Sequence, residues 1–365
     1  MEDLAAALRR AHPELEAVQR EAKEPVYLVG GAVRDLLLGR AKADVDLVVV
    51  GDAAALARRL GGAEVEHERF GTVKVEVEGH EMDIASARTE TYPQPGALPV
   101  VAPAGSIEVD LDRRDFTVNA MAVPLAGEPR LIDPHGGEGD LKRGLLRVLH
   151  PRSFKDDPTR AIRAARYAAR FGFSLEAETD RLLRRADLAA VSADRRRAEL
   201  ERLAAEPTGR VAFGLLAGWG LIDLRTGGLE LVAAVEDVLK DPHWAELVPR
   251  EQALVAAALG PEGAERVLAS MWPPKPGEGV EVAERRDPVE LILARAMGAD
   301  WLDRYLTVWS KIELEIDGND LIKAGVPQGE AIGRGLRAAR QKRLEGEIVN
   351  RDHELAVALE AARTE

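Results

Sequence analysis

The chain has 365 residues, 63 Asp and Glu against 50 Lys and Arg, and a formal net charge of -13, so it is too long for one ordinary core and is not expected to coat nucleic acid indiscriminately. It contains no Cys, which excludes disulfides, thiolate catalysis and thiolate zinc sites. Its seven His lack paired spacing, so carboxylates are the credible metal ligands.

The first 140 residues mix short β-like runs, at 26–29, 45–50, 72–77 and 81–85, with helical segments. The run Val26-Tyr27-Leu28-Val29 leads into Gly30 and Gly31 and then into a helical pattern from Val33 to Leu38. A strand, a Gly-rich turn and a helix start form a phosphate cradle, because exposed amides and the helix dipole both favour anions. Ala43-Asp44-Val45-Asp46-Leu47-Val48-Val49-Val50 follows. In a strand, residues i and i+2 share a face, so Asp44 and Asp46 can converge while Val45 and Leu47 enter the core. Two carboxylates at one place invite a hard cation, and Asp83, in the next apolar run, is a third candidate.

Residues 88–108 carry four Pro and two Gly and are expected to form a long loop. Beyond Leu141 nearly everything reads as amphipathic helix, and the stretch from Leu141 to Arg202 holds 16 Lys and Arg against 9 Asp and Glu. This is a basic region in an acidic chain, suited to a phosphate backbone and equally to a solvated helical surface. Met271 to Gly279, with three Pro, is the clearest breaker in this half. The five Trp lie far from the first 140 residues and are expected to serve packing. No run of 18 apolar residues and no leader pattern at Met1 to Leu4 is present, so a cytoplasmic protein with no membrane partner is expected.

Two further segments carry chemistry. Asp110 to Ala122 contains Arg113-Arg114-Asp115 and Asn119, and Asp156 to Tyr167 contains Asp156-Asp157-Pro158-Thr159-Arg160 with Arg163 and Arg166. Together with the Gly-Gly turn and the Asp-Val-Asp run they resemble the bacterial-type (class II) tRNA nucleotidyltransferase and poly(A) polymerase family. A weaker match, Asp320 to Gly333, resembles the family's tail. The resemblance implies an α+β architecture: a polymerase beta-like nucleotidyltransferase head followed by an all-helical neck, body and tail in a seahorse-like arrangement, with the head at 1–140, neck at 141–204, body at 205–300 and tail at 301–365. It also implies template-independent addition of CCA, or of C or A alone, to tRNA 3′ ends from CTP and ATP, with release of pyrophosphate.

Mg2+ would be held by Asp44 and Asp46, the catalytic pair, with Asp83 as a possible third ligand. Gly30, Gly31, Arg34, Arg114, Asp115, Asn119, Asp156, Asp157, Arg160, Arg163 and Arg166 would bind the nucleotide. Cytosine and adenine both present an exocyclic amino donor beside a ring-nitrogen acceptor, and uracil and guanine the reverse, so one carboxylate and one guanidinium can select C and A. Asp156 or Asp157 is expected to share a helical face with Arg160. The family usually has Glu where Asp156 stands, which leaves that residue's role open, and Asp157 before Pro158 also reads as a helix N-cap. Arg334, Arg337, Arg340, Lys342 and Arg343, after the turn at 325–329, would help hold tRNA or form a solvated face. No obligate protein partner is implied. Alternative functions are a poly(A) polymerase acting on other RNA, a small-molecule nucleotidyltransferase and a catalytically silent RNA-binding protein.

Overall fold

The computed structural model describes residues 4–40, 45–61, 72–261, 263–271 and 274–363. Asp44 and Trp272 lie outside them. The chain forms two compact units, with the boundary between Ile222 and Asp223.

The first unit is built on a five-stranded sheet. In chain order its strands are β1 (Val26–Val29), β2 (Val45–Val49), β3 (Thr72–Val77), β4 (His80–Ser86) and β7 (Ala122–Pro124), and in space they run β3-β4-β2-β1-β7. All neighbours are antiparallel except β2 and β4. Val, Ile and Leu dominate the central strands because both faces of the sheet are covered. Leu28, Val45, Leu47, Val49 and Ile84 enter one core together with Val33, Leu56, Phe116 and Phe154. Val29 and Val48 enter a second core with Ile107 and Leu111. Asp46 shares the Val48 face by strand alternation. The parallel register sets Asp46 opposite Asp83, so the two carboxylates leave neighbouring strands on the same side.

Residues 88–103 depart from the expected loop. They form an antiparallel hairpin of β5 (Arg88–Thr91) and β6 (Val100–Pro103), with Arg88 opposite Pro103 and Thr91 opposite Val100. The three prolines at 93, 95 and 99 fall in the connection, and Pro103 falls at the end of a strand paired on one side only, where a missing amide costs nothing. The β-branched Thr89, Thr91, Val100 and Val101 supply the ladder.

Helix α1 (Gly31–Leu37) leaves the glycine turn and α2 (Ala53–Arg59) follows β2, capped by the Asp52 carboxylate on the Ala55 amide. Beyond the sheet come α3 (Ser153–Asp156), α4 (Thr159–Phe171), α5 (Ala193–Ala205) and α6 (Gly209–Gly218). The inner side of α4 is Ile162 with Ala161, Ala164, Ala165 and Ala168, and the four alanines let α5 and α6 approach closely. Phe213 and Leu216 of α6 are fully buried, so this unit continues beyond residue 204.

The second unit is helical. Helix α7 (Gly228–Val238) packs on α8 (Arg250–Leu259) and α9 (Pro288–Ala296), and α10 (Glu330–Leu344) packs along α11 (Arg351–Arg363). Trp244, Trp301 and Trp309 are buried, with the last two rings stacked 6.4 Å apart. That is the packing role expected of them. Among the described residues no helix is long and apolar enough to cross a membrane.

Candidate active site

The glycine turn is shaped by backbone geometry. Gly30 has φ 66° and ψ -128°, a conformation that side chains disfavour strongly. A Cβ there would lie 2.7 Å from a terminal nitrogen of Arg114, whereas one at Gly31 would meet only the Arg34 guanidinium, at 3.4 Å. The first glycine therefore makes room for an arginine.

Arg34, one turn into α1, is 4% exposed. Its Nε donates to Asp35 (2.8 Å) and a terminal nitrogen donates to the Asn119 side-chain oxygen (2.7 Å). Its guanidinium carbon sits 4.3 Å from the Phe171 ring centroid and 5.4 Å from that of Tyr167. These contacts offset the desolvation of a buried cation.

Arg113 and Arg114 both lean on Asp110, which is fully buried at the end of the short helix Ile107–Leu111. Burial pushes the Asp110 carboxyl up, but the two guanidiniums outweigh it and hold it below the usual carboxylate range. Burial, with Arg113 beside it, holds Arg114 below its ordinary value although Asp110 and Asp46 pull the other way. Arg114 thus links the Asp46 strand to the arginine cluster.

Asp115 receives the Phe116 amide (2.8 Å) and the Asn119 amide nitrogen (3.0 Å) on one oxygen, and Arg163 on the other (2.8 Å from Nε). Burial alone would raise its pKa, but Arg163, the Asn119 hydrogen bond and Arg160 bring it to about 2. It is a fixed anion that aims Arg163.

Arg160, Arg163 and Arg166 recur along α4 at three-residue spacing, and Arg170 extends the stripe. Two of the five Arg160 donors are used to lock it: one terminal nitrogen to the Ser153 hydroxyl (2.6 Å), the other to the Arg113 carbonyl (2.8 Å). The acidic residues before it are not on its helix, contrary to the expectation of one helical face. Asp156 ends α3, and Asp157 sits between α3 and α4 with φ -134°, because Pro158 disfavours helical geometry in the residue before it. The Asp157 carboxylate does cap α4, accepting the Thr159 amide (3.1 Å) and hydroxyl (2.7 Å).

These side chains surround a cavity of about 520 Å³, within the range of small-molecule sites. Gly30, Gly31, Arg34, Asp46, Arg114, Asp115, Asn119, Asp157, Arg160, Arg163 and Arg166 all line it. Two expected residues do not. Asp83 stands beside Asp46 on β4, and Asp156 lines an adjoining cavity of about 280 Å³, its carboxylate held by Arg152 at 3.0 Å. Asp44 falls outside the described residues.

Arg113 of the Arg-Arg-Asp segment lines the cavity too, and so do residues that sequence reasoning missed: Arg88, Glu90, Tyr92, Tyr167 and Arg170. Glu90 accepts from Arg113 (2.9 Å) and from the Tyr92 hydroxyl (3.0 Å), so the hairpin forms one wall. Burial, then the Glu90 charge, push the Tyr92 phenol up, keeping it protonated. Alternation of Arg88 and Glu90 would have put both on one face had the segment been read as a strand, and Tyr167 and Arg170 continue the α4 stripe. Eight arginines face four carboxylates around the cavity, an anion-binding balance concentrated within an acidic chain.

A family described as the poly A polymerase head domain matches residues 26–147, and one described as a putative tRNA nucleotidyltransferase domain 2 matches residues 296–359. The CC-adding tRNA nucleotidyltransferase of Deinococcus radiodurans is 35% identical over 362 residues, covering 95% of this chain and 89% of that protein. The chain belongs to the tRNA nucleotidyltransferase family. Another member, the A-adding enzyme of Aquifex aeolicus, is 49% identical over 166 residues, which is 44% of this chain and 20% of the relative. The chain spans less than half the length of the A-adding relatives it matches. Among solved family structures, the Thermotoga maritima CCA-adding enzyme complexed with tRNA superposes with a TM-score of 0.72 at 27% identity, over 98% of each chain.

Proposed function

We propose that this protein is a cytoplasmic nucleotidyltransferase that extends tRNA 3′ ends with C, A or the full CCA from CTP and ATP, without a nucleic-acid template. The observation that carries the reading is the single cavity joining Asp46, the α4 arginine stripe and the Asp157–Arg160 pair.

The donor set suits Mg2+. Asp46 and Asp83 are hard oxygen donors side by side on β2 and β4, and Asp44 is two residues from Asp46 in sequence. Asp44 and Asp46 would hold the cation, with Asp83 beside Asp46 as the third donor. When bound, divalent cations would acidify the attacking hydroxyl and neutralise phosphate charge. The chain's own contribution is orientation. The turn at Gly30 and Gly31 with Arg34, Arg114, Arg163 and Arg166 would grip the triphosphate, and Asp115 and Asn119 would hold Arg163 and Arg34 in place for it. The tRNA 3′ hydroxyl attacks the α-phosphate in line; a phosphodiester forms, the bond to the bridging oxygen of the β-phosphate breaks, and pyrophosphate leaves. Asp157 and Arg160 select the base from its amino and ring-nitrogen edge, which makes the protein the template.

The test is to offer the purified protein three tRNAs, ending before CCA, after one C and after CC, with CTP, ATP and Mg2+, and to sequence the extended ends. Extension of at least one, abolished by Asp46→Ala in a folded variant, is expected. No incorporation on any of them, or full activity without Asp46, would refute the assignment.

A further inference from the structure

Asp157 receives three hydrogen bonds among the described residues, and all of them land on Oδ1. Two come from Thr159. The third comes from Arg195 on α5, whose terminal nitrogen donates at 3.1 Å. The other terminal nitrogen of Arg195 donates to the carbonyl of Gly96, at 2.7 Å. Gly96 is in the connection between β5 and β6, and its own amide donates to the Asp156 carbonyl at 3.3 Å. With φ at 71° it approaches the Ala190 carbonyl so closely that a side chain has no room.

One guanidinium therefore holds two things at a fixed separation: the hairpin tip and one oxygen of the cavity's Asp157. A carboxylate with one oxygen saturated by three donors cannot rotate freely, and it offers Oδ2 in a single direction. Selection between an amino donor and a carbonyl acceptor depends on that direction, because a carboxylate free to turn can retreat from a mismatched carbonyl.

We propose that Arg195 is a positioning residue for base selection: by clamping Asp157 Oδ1 to the β5–β6 tip it presents Oδ2 as the sole acceptor to the incoming base. The inference rests on the reading of Asp157 as the base-selecting carboxylate. The Arg195 side chain is 25% exposed, so replacing it leaves no large hole in the core.

The experiment uses the full-length chain with Arg195→Gln, Arg195→Lys, Asp157→Asn and the Asp157→Asn/Arg195→Gln double variant. For each, kcat/KM is measured for the preferred nucleotide and for UTP on whichever tRNA the wild type extends. Thermal melts verify folding. Arg195→Gln is expected to lower the preference about fivefold, as befits residues in one hydrogen-bond network, and Arg195→Lys to fall between it and wild type, since a point donor serves one acceptor at a time. The double variant should match Asp157→Asn alone. If Asp157→Asn shifts the preference and Arg195→Gln does not, the clamp is merely structural and the base-reading assignment stands. If Asp157→Asn leaves the preference unchanged, both readings fall. Independent, multiplying losses in the double variant overturn the clamp, and so does a wild-type preference in Arg195→Lys should the Gln variant fail to fold.

Discussion

The two glycines of the turn differ in what they do, and substitution separates them. Gly30 at φ 66°, ψ -128° occupies a region costing a side-chain-bearing residue about 1–3 kcal/mol. Its new Cβ would also stand 2.7 Å from an Arg114 nitrogen. That arginine cannot simply swing away, because another of its nitrogens is bound to the buried Asp110 at 3.1 Å. Gly30→Ala should thus destabilise by about 2–4 kcal/mol. It should also raise the KM for nucleotide roughly ten- to hundredfold, as expected for one displaced charge-assisted contact of about 1.5–3 kcal/mol. Gly31 meets nothing closer than 3.4 Å and lies at the first position of α1. Gly31→Ala should be neutral, or stabilising by up to about 1 kcal/mol through the unfolded chain's lost freedom. Urea unfolding gives the stabilities, and initial rates against CTP or ATP give KM. A Gly30→Ala protein indistinguishable from wild type, or one less affected than Gly31→Ala, would refute the steric argument.

Asp115 titrates at about 2 instead of its ordinary 3.8, so the charged form contributes stability, present in full above pH 3.8 and lost as pH falls toward 2. The difference of about 1.8 units corresponds to about 2 kcal/mol; Asp115→Asn should lose roughly that amount at neutral pH by urea unfolding, and the gap from wild type should narrow below about pH 4, a pH-independent gap contradicting the assignment. Arg160→Ala should relax discrimination against UTP by about tenfold or more, the worth of one good base contact, as well as slowing incorporation. Asp157→Ser, which can still cap α4, should shift nucleotide choice too; unaltered selectivity in both variants would remove the protein-template reading. In the second unit, a Cβ at Gly335 would lie 2.5 Å from the Ala358 carbonyl across the α10–α11 contact, so Gly335→Ala should cost about 1–3 kcal/mol through overpacking, seen as a lower melting temperature with nucleotide KM unchanged; an unchanged melting temperature would contradict it.

The sequence by itself determined what depends on neighbours in the chain. β-Branched runs set the strands at 26–29 and 45–49, the Gly pair set the turn before α1, and three-residue spacing put Arg160, Arg163 and Arg166 on one helix. These are local consequences of alternation, backbone freedom and helical period. The motifs were legible for the same reason, and most of the expected residues line one cavity. Tertiary structure decided what depends on partners far along the chain. The Pro-rich segment became a cavity wall because β5 and β6 pair with each other and Glu90 meets Arg113, contacts that local composition does not encode. Asp156 and Asp157 are adjacent in sequence yet line different cavities, since Pro158 breaks the helix between them and Arg160. Arg195 lies 38 residues from Asp157 within a run of basic residues that reads as a solvated face. Only the packing of α5 against α4 turns one of those arginines inward.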